Sequence, residues 1–211
     1  MENFSGDIKS VKLDLKACSV SFVAEEGSGL KSIEYTGAKE LEPDAVFADG
    51  TLTVIQRPVS IFANGIMAVN KPRLTVTIGK DTILQFLDIY LKAGDVSVNG
   101  ITADWFSEVI NAGNVTISGC NFLKAEISTK AGNTYISNTN LNKTVINTNA
   151  GNVNLDAIED LDRYDIECKV KTGDVKIADE HSSGKNISIV KGAKDSDYIR
   201  INVNVGSISV N

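Results

Sequence analysis

The side chains that could contact a ligand are few, and they are spread along the chain. Trp105 and Glu108 stand close together in DWFSEVI, and an aromatic ring beside a carboxylate could form a small binding patch. Tyr135 occupies an outward position of a predicted strand, and His181 is the only histidine. We take these four residues as candidate ligand contacts; the alternative for each is an ordinary surface or corner residue.

Catalytic carboxylates and metal ligands are not grouped in the sequence. Glycoside hydrolysis needs two carboxylates held close on one face, and a calcium site needs several oxygen ligands. Asp95 and Asp174 lie in corresponding positions of a repeat, but asparagine replaces aspartate in the units between them. One Gly-Asp or Gly-Asn pair per unit is also too sparse for a calcium-binding nonapeptide roll. We therefore predict no catalytic residue, no metal site and no cofactor.

Charge and composition exclude several classes of protein. The net charge is −6 and the isoelectric point about 4.9, which argues against nucleic acid as a main partner and against electrostatic docking to an anionic membrane. The chain has no apolar run long enough for a transmembrane helix, so we expect no direct membrane insertion by this segment. The opening MENFSGDIKS lacks the basic and apolar regions of a signal peptide. The three cysteines form no CxxC pair, and one histidine cannot build a histidine-rich metal site.

A short unit recurs along the second half of the chain. Its copies are AGDVSV (93–98), AGNVTI (112–117), AGNTYI (131–136), AGNVNL (150–155), TGDVKI (172–177) and VGSISV (205–210). Their glycines are the predicted structural corners, and the first four are 19 residues apart: Gly94, Gly113, Gly132, Gly151, Gly173 and Gly206. Apolar and polar residues alternate on both sides of each glycine, which is typical of half-buried strands.

Near-identical units at a constant spacing predict coils that stack in parallel, with like residue above like. The predicted fold is all-β, a right-handed parallel β-helix (β-solenoid) of 19-residue coils, each with a strand, a glycine corner and a second strand. Six inward columns are expected, one of them formed by the residues before the glycines: Ala93, Ala112, Ala131, Ala150, Thr172 and Val205. A third inward side is expected from Ile101, Cys120, Thr139 and Ile158 with Ala103, Phe122, Leu141 and Leu161.

Two kinds of polar residue within the repeat lead to further predictions. Asn114, Asn133 and Asn152 should lie directly above one another, where their side chains can hydrogen-bond from coil to coil. The alternative is that these asparagines only stabilise the turns. Glu108 is the one acid in an inward column, and a buried unpaired carboxylate is costly. We expect a bulge that turns Val109 inward and Glu108 outward.

The two ends of the chain depart from the repeat. VKLDLKACSVSF (11–22) aligns with residues 87–98 and puts Cys18 where the later copies have glycine. We predict an irregular β start at residues 1–81 and regular coils at 82–211 within one continuous domain, with residues 178–197 inserted as a flap or cap. The last coil would end at Val210 with an open edge, which predicts a cover by the insertion or a homodimer through the terminal coil.

Several segments together resemble a known family. LDLKACSVSFVAEEG, IEYTG, DGTLTVIQRP, RLTVTI and the serial AGDV, AGNV and TGDV corners are similar to the bacterial "putative adhesin" β-strand-repeat family of unknown function. The family often has Leu-Pro after the RLTVTI-type strand, where this chain has Ile78-Gly79. The resemblance implies a β-solenoid on the outside of a bacterial cell, anchored by a segment outside the repeat. It carries no catalytic residues over to this chain.

Three functional hypotheses follow. The first is a non-enzymatic, extracellular or cell-surface interaction module that adheres to a glycan or protein ligand. The second, which rests on the same resemblance, is the extracytoplasmic domain of an envelope-stress sensing or regulatory system. The third is a carbohydrate-active enzyme, which the scattered acids disfavour.

Overall fold

The fold is described from a computed structural model that covers residues 6–58, 71–156, 161, 164–192 and 197–211. In those residues the chain forms strands, one short 3₁₀ helix (Lys39–Leu41) and no α-helix. The strands are β1 (Ser10–Ala17), β2 (Ser19–Glu25), β3 (Leu30–Thr36), β4 (Asp44–Ala48), β5 (Thr51–Ile55), β6 (Arg73–Gly79), β7 (Ile83–Ala93), β8 (Val96–Asn99), β9 (Thr102–Ala112), β10 (Val115–Ser118), β11 (Asn121–Ala131), β12 (Thr134–Ser137), β13 (Asn140–Ala150), β14 (Val153–Asp156), β15 (Asp165–Ile177), β16 (Glu180–Lys191) and β17 (Tyr198–Val210). All of them belong to one mostly parallel sheet that winds around a shared core.

The central strands stack as the repeat predicts. The long strands β7, β9, β11 and β13 pair in parallel, and the short strands β8, β10, β12 and β14 form a second parallel ladder. Val115, for example, lies between Val96 and Thr134, so that the paired residues are 19 positions apart. The predicted all-β fold with parallel stacking is confirmed, whereas its right-handed sense stays a prediction.

The predicted corners depend on glycine because the backbones of successive coils nearly touch there. Gly132 has φ +146°, a conformation that other residues rarely adopt. A Cβ at Gly132 would lie 1.7 Å from the carbonyl oxygen of Gly113, and Gly151 stands in the same relation to Gly132. Glycine is therefore required both for its dihedral angle and for its lack of a side chain.

The column of residues before the glycines is exposed, so its predicted inward position was wrong. Ala93, Ala112, Ala131 and Ala150 are all exposed, and Val205 is 58% exposed. Each of these alanines is the last residue of its strand, directly before the bend at the glycine, and its side chain no longer faces the core. The alanines therefore lie on the outside of the corner.

The asparagine ladder, one of the two alternatives that the sequence left open, is present along the corners. The backbone N–H of Asn114 donates to Asp95 Oδ1 at 2.8 Å, that of Asn133 to Asn114 Oδ1 at 3.0 Å, and that of Asn152 to Asn133 Oδ1 at 3.0 Å. Ser207 N–H continues the series by donating to Asn152 Oδ1 at 2.9 Å. Each side-chain oxygen thus accepts a hydrogen bond from the backbone of the next coil. The asparagines therefore link the coils and do not only stabilise their own turns.

The predicted third inward side is confirmed where the structure describes it. Ile101, Cys120, Thr139, Ala103, Phe122 and Leu141 are all buried. The Phe122 ring stacks on Phe106 with 4.7 Å between centroids. Leu161 packs against the core as a partly buried residue, and Ile158 lies outside the described residues.

The C-terminal strand is not at the edge of the sheet, so the open edge predicted at Val210 was wrong. β17 lies between β13 and β15, with Ile201 beside Ile146 on one side and Cys168 on the other. The chain first forms β15, turns back as the antiparallel strand β16, and then returns through the space next to β13. Most of the 178–197 insertion is therefore β16, which covers β15 and is itself the edge strand. A homodimer through the terminal coil stays a prediction.

The N-terminal end repeats the antiparallel arrangement. β1 pairs with β7 in the predicted alignment, with Ala17 opposite Ala93, which puts Cys18 beside Gly94. On its other side, β1 pairs in parallel with β5, and β5 pairs antiparallel with β4. In the same way, β2 pairs in parallel with β6, and β6 pairs antiparallel with β3. The sheet is thus parallel at its centre and antiparallel at both ends. Its division at residue 81 stays a prediction.

Candidate ligand-binding surface

Seven stacked strands present one continuous outward face. They are, in spatial order, β1, β7, β9, β11, β13, β17 and the first part of β15. We call this surface the long-strand face. Because pairing is in register, its outward side chains form columns that run from coil to coil. The first column, farthest from the glycine corners, is Ser10, Phe86, Trp105, Lys124, Lys143, Tyr198 and Asp165, of which Ser10 is buried.

Two aromatic residues of this column form a cleft. The Phe86 and Trp105 rings have centroids 5.8 Å apart and are tilted by 44°, and the two residues are 45% and 37% exposed. Lys124 Nζ lies 4.1 Å from the Trp105 ring centroid, on the next coil. The cleft has a volume of about 270 Å³ and is lined by Lys12, Phe86, Leu87, Asp88, Trp105 and Ser107. We call it the aromatic cleft.

The aromatic cleft combines apolar and polar chemistry at one place. Exposed aromatic rings offer a flat apolar surface, and the cation over Trp105 is held by the ring's quadrupole. Asp88 and Ser107 supply hydrogen-bonding oxygens beside the rings, and Lys12 supplies a donor. A ligand with one apolar face and a rim of hydroxyl groups, such as a pyranose ring, fits this combination.

A second groove lies on the same face, near the glycine corners. It has a volume of about 230 Å³ and is lined by Val109, Ser128, Thr129, Lys130, Asn147, Thr148, Asn149, Asn202 and Asn204. Asn202 Nδ2 donates to Asn147 Oδ1 at 3.0 Å, and Asn204 Nδ2 donates to Asn149 Oδ1 at 2.7 Å. We call it the amide groove. Eight of its nine lining residues have polar side chains.

Glu108 is buried, so the predicted bulge was wrong. β9 pairs with β7 and β11 without interruption there, and Glu108 lies between Ile89 and Ile127 with 0% exposure. Neither carboxyl oxygen has a hydrogen-bond partner. Burial raises the pKa of Glu108 to about 8, an effect that the nearby Ser128 backbone N–H only partly opposes. A bulge would also have turned Ile110 out of the core. Burying one carboxyl therefore costs less free energy than shifting the register of the strand.

The four candidate contacts do not come together. Trp105 lines the aromatic cleft, and Glu108 lies in the core behind it. Tyr135 is 41% exposed on the short strand β12, away from the long-strand face. His181 is exposed on the edge strand β16, where its Nε2 lies 3.3 Å from Ser183 Oγ. Only Trp105 therefore belongs to a cleft.

The aromatic cleft includes a residue that sequence reasoning missed. Phe86 precedes Trp105 by 19 positions and pairs with it directly. The repeat spacing, applied to the outward positions as it was to the inward ones, would have shown two aromatic residues in one column. Lys130, Asn147 and Asn149 were missed for the same reason.

Reactive groups elsewhere in the described chain are buried or dispersed. Cys18, Cys120 and Cys168 are unpaired and buried, and burial raises the pKa of Cys18 and Cys168 to about 12. The described residues contain no group of three or more His, Cys, Asp or Glu side chains that could hold a metal ion. In the same part of the chain, no helix has the length and apolar character needed to cross a membrane.

Comparisons with known proteins agree with this fold. A family model described as Toastrack DUF4097 matches residues 8–211. A solved structure titled as a "putative cell adhesion protein" from Clostridium sporogenes is 12% identical, with a TM-score of 0.54, covering 100% of this chain and 95% of that one. Another, titled as a "putative adhesin" from Bacteroides fragilis, is 12% identical with a TM-score of 0.52, covering 99% and 95%. At that identity they show a shared fold. No curated protein sequence matches the chain.

Proposed function

The chain belongs to the Toastrack DUF4097 family, and from that premise we propose that it is a non-enzymatic surface-interaction module that binds a glycan in the aromatic cleft. The observation that carries the proposal is the pair of exposed rings, Phe86 and Trp105, with hydrogen-bonding side chains at their rim. We further take the coil to be right-handed, as most connections between parallel strands of one sheet are.

The polarity around the rings favours a glycan over a protein ligand. Stable protein interfaces bury about 800 Å² on each partner, around a central apolar patch. The two exposed rings here, surrounded by Lys12, Asp88, Ser107 and Lys124, form a far smaller apolar patch than that. A sugar needs this mixture, because each ring has an apolar face and hydroxyl groups that must exchange water for protein partners.

The arrangement of acids supports a binding role over a catalytic one. Glu108, the acid with the raised pKa, has no exposed surface from which to reach a substrate. Three of the five acids on the long-strand face bind a lysine of the same strand: Asp14 binds Lys16, Glu126 binds Lys124 at 2.8 Å, and Glu167 binds Lys169. A glycoside hydrolase would instead need one of two facing carboxyls kept protonated.

A location outside the cell or on its surface is part of the proposal. Its support is the naming of the two solved structures as adhesion proteins, together with the shared fold. Fold alone does not fix function, so the binding site itself must be tested.

The test is glycan binding by wild type and a Trp105→Ala variant, first on a glycan array and then by isothermal titration calorimetry. We expect Trp105→Ala to weaken binding of the best glycan about tenfold or more, or about 1.4 kcal/mol. Tyr135→Ala is the matched control, because Tyr135 is similarly exposed on another face.

Two results would overturn the proposal. One is the absence of glycan binding by a folded sample, or an equal loss in both variants. The other is hydrolysis or elimination of any bound glycan, with or without calcium, which would make the protein an enzyme.

A further inference from the structure

The long-strand face is basic although the chain is acidic. Its outward cations are Lys12, Lys16, Lys92, Lys124, Lys130, Lys143, Lys169, Lys171 and Arg200. Its outward acids are Asp14, Asp88, Glu126, Asp165 and Glu167. Nine cations against five acids give the face a net charge of +4, whereas the whole chain carries −6. The overall charge thus conceals a surface of opposite sign.

The cations near the glycine corners are not neutralised by neighbours. Lys16, Lys124 and Lys169 each bind an acid of their own strand. The column of outward residues nearest the glycine corners includes Lys92, Lys130, Asn149, Asn204 and Lys171. Its lysines Lys92, Lys130 and Lys171 form no salt bridge to any described residue. Lys130 is the one that also lines the amide groove.

The amide groove offers donors beside that charge. Asn147 Oδ1 and Asn149 Oδ1 are occupied as acceptors, which leaves their Nδ2 groups to donate outward. The Lys130 ammonium adds a charged donor, whereas Asn202 and Asn204 use an Nδ2 donor in these bonds and keep Oδ1 as an acceptor. A ligand that carries an acid group for the lysine and hydroxyl groups for the amides complements this set.

We propose that the ligand is an anionic oligosaccharide that lies across the long-strand face, with one sugar in the aromatic cleft and an acid group at Lys130 in the amide groove. This rests on the proposed glycan-binding function and deepens it. Trp105 stands beside Lys124, and Lys130 is six residues further along that strand. At the rise of a β-strand this is about 20 Å, so only an oligosaccharide reaches both places.

The experiment compares oligogalacturonides of increasing length with neutral gluco-oligosaccharides of the same lengths, by calorimetry at low and high salt. We expect affinity for the acidic series to rise with length until both places are occupied, to exceed that for the neutral series, and to fall at high salt because charge attraction is screened. Lys130→Gln should weaken binding of a long oligogalacturonide about fivefold to tenfold and weaken binding of a neutral oligosaccharide of the same length much less. Lys176→Gln is the matched control, because Lys176 is an exposed lysine of the short-strand side.

The contrary outcomes separate the two proposals. If neutral and acidic sugars bind equally well and Trp105→Ala weakens both while Lys130→Gln weakens neither, the anionic ligand is wrong and glycan binding stands. If no sugar binds, both fail. If anionic phospholipid vesicles or a DNA oligonucleotide bind as tightly as the oligogalacturonide and with the same dependence on Lys130, the face is a general anion surface and the oligosaccharide is overturned.

Discussion

The interior coils and the two ends of the sheet satisfy the same backbone groups by different means. In the interior, the corner glycines from Gly94 to Gly151 donate their N–H to the carbonyl of the residue before the next coil's glycine, as Gly94 does to Ala112 and Gly151 to Val205, both at 3.0 Å. In the interior, the next coil always supplies the acceptor for these hydrogen bonds. An end has no next coil, so each end needs a structure of its own.

The N-terminal end uses one side chain for this purpose. Gln56 Oε1 accepts from the backbone N–H groups of Lys16 and Ala17 at 2.9 and 2.8 Å, and its Nε2 donates to Leu41 O at 2.6 Å. Gln56 is 1% exposed. It takes the position that a further coil would fill at the corner of β1. At the other end, β16 follows β15 around its corner, with Gly184 opposite Gly173.

Interior corners tolerate no side chain, whereas an end corner has space for one. Gly132 and Gly184 have similar dihedral angles, φ +146° and +134°. A Cβ at Gly132 would collide with Gly113 O, but a Cβ at Gly184 would have no atom within 4 Å. Alanine substitutions at Gly132 and Gly184 therefore separate the free-energy cost of the dihedral angle from that of the backbone collision.

The largest effect is expected from Gly132→Ala. Since it adds a backbone collision to a strained dihedral angle, it should lower the free energy of unfolding by about 4 kcal/mol or more. Gly184→Ala carries the strain alone and should cost about 1–2 kcal/mol. Urea unfolding followed by circular dichroism measures both. Equal losses in the two variants would mean that close stacking adds nothing in the interior.

Sequence predicted the interior well because every coil there obeys the same constraints. The pairing of β7 to β14, the glycine corners and the vertical alignment of the corner asparagines all follow from one spacing, although the column before the glycines faces outward. The order of the last strands could not be predicted in this way, because TGDVKI and VGSISV fit the same columns equally well. Their order depends on how β16 reconnects them, and the repeat holds no information on that.

The candidate site was predicted only in part for a related reason. Trp105 was identified by its residue type, but a cleft also needs its neighbours on adjacent coils, Phe86 and Lys124. Gln56 lies in DGTLTVIQRP and has no counterpart in the repeat, so no column indicates its role. End-specific residues can be recognised only once the ends are known.

Glu108 is the interior position where the repeat is least well satisfied, and Glu108→Ile should stabilise the protein. The folded protein keeps this carboxyl protonated up to pH about 8, whereas the unfolded chain loses the proton near its ordinary value of 4.5. The unfolded state therefore binds fewer protons between these values, and wild-type stability falls as pH rises through that window.

The gain in free energy of unfolding from Glu108→Ile should accordingly be smallest below pH 4.5 and reach about 3–5 kcal/mol above pH 8. Urea unfolding across pH 4–9 measures it. Glu108→Gln is the control: it removes the charge but keeps a buried polar group without partners, so it should gain less and show the same growth with pH. A gain that does not depend on pH would contradict a buried, titrating carboxyl.

The N-terminal end should depend on the hydrogen bonds of one side chain, Gln56. Gln56→Leu keeps the volume but leaves the N–H groups of Lys16 and Ala17 without an acceptor, and should cost about 2–4 kcal/mol of unfolding free energy. The chain's other glutamine, Gln85, is exposed on β7, so Gln85→Leu is the matched control, expected within about 0.5 kcal/mol of wild type. Hydrogen exchange of the Lys16 and Ala17 amides should accelerate only in Gln56→Leu. Similar stability and exchange in both variants would mean that the antiparallel strands, and not Gln56, close this end.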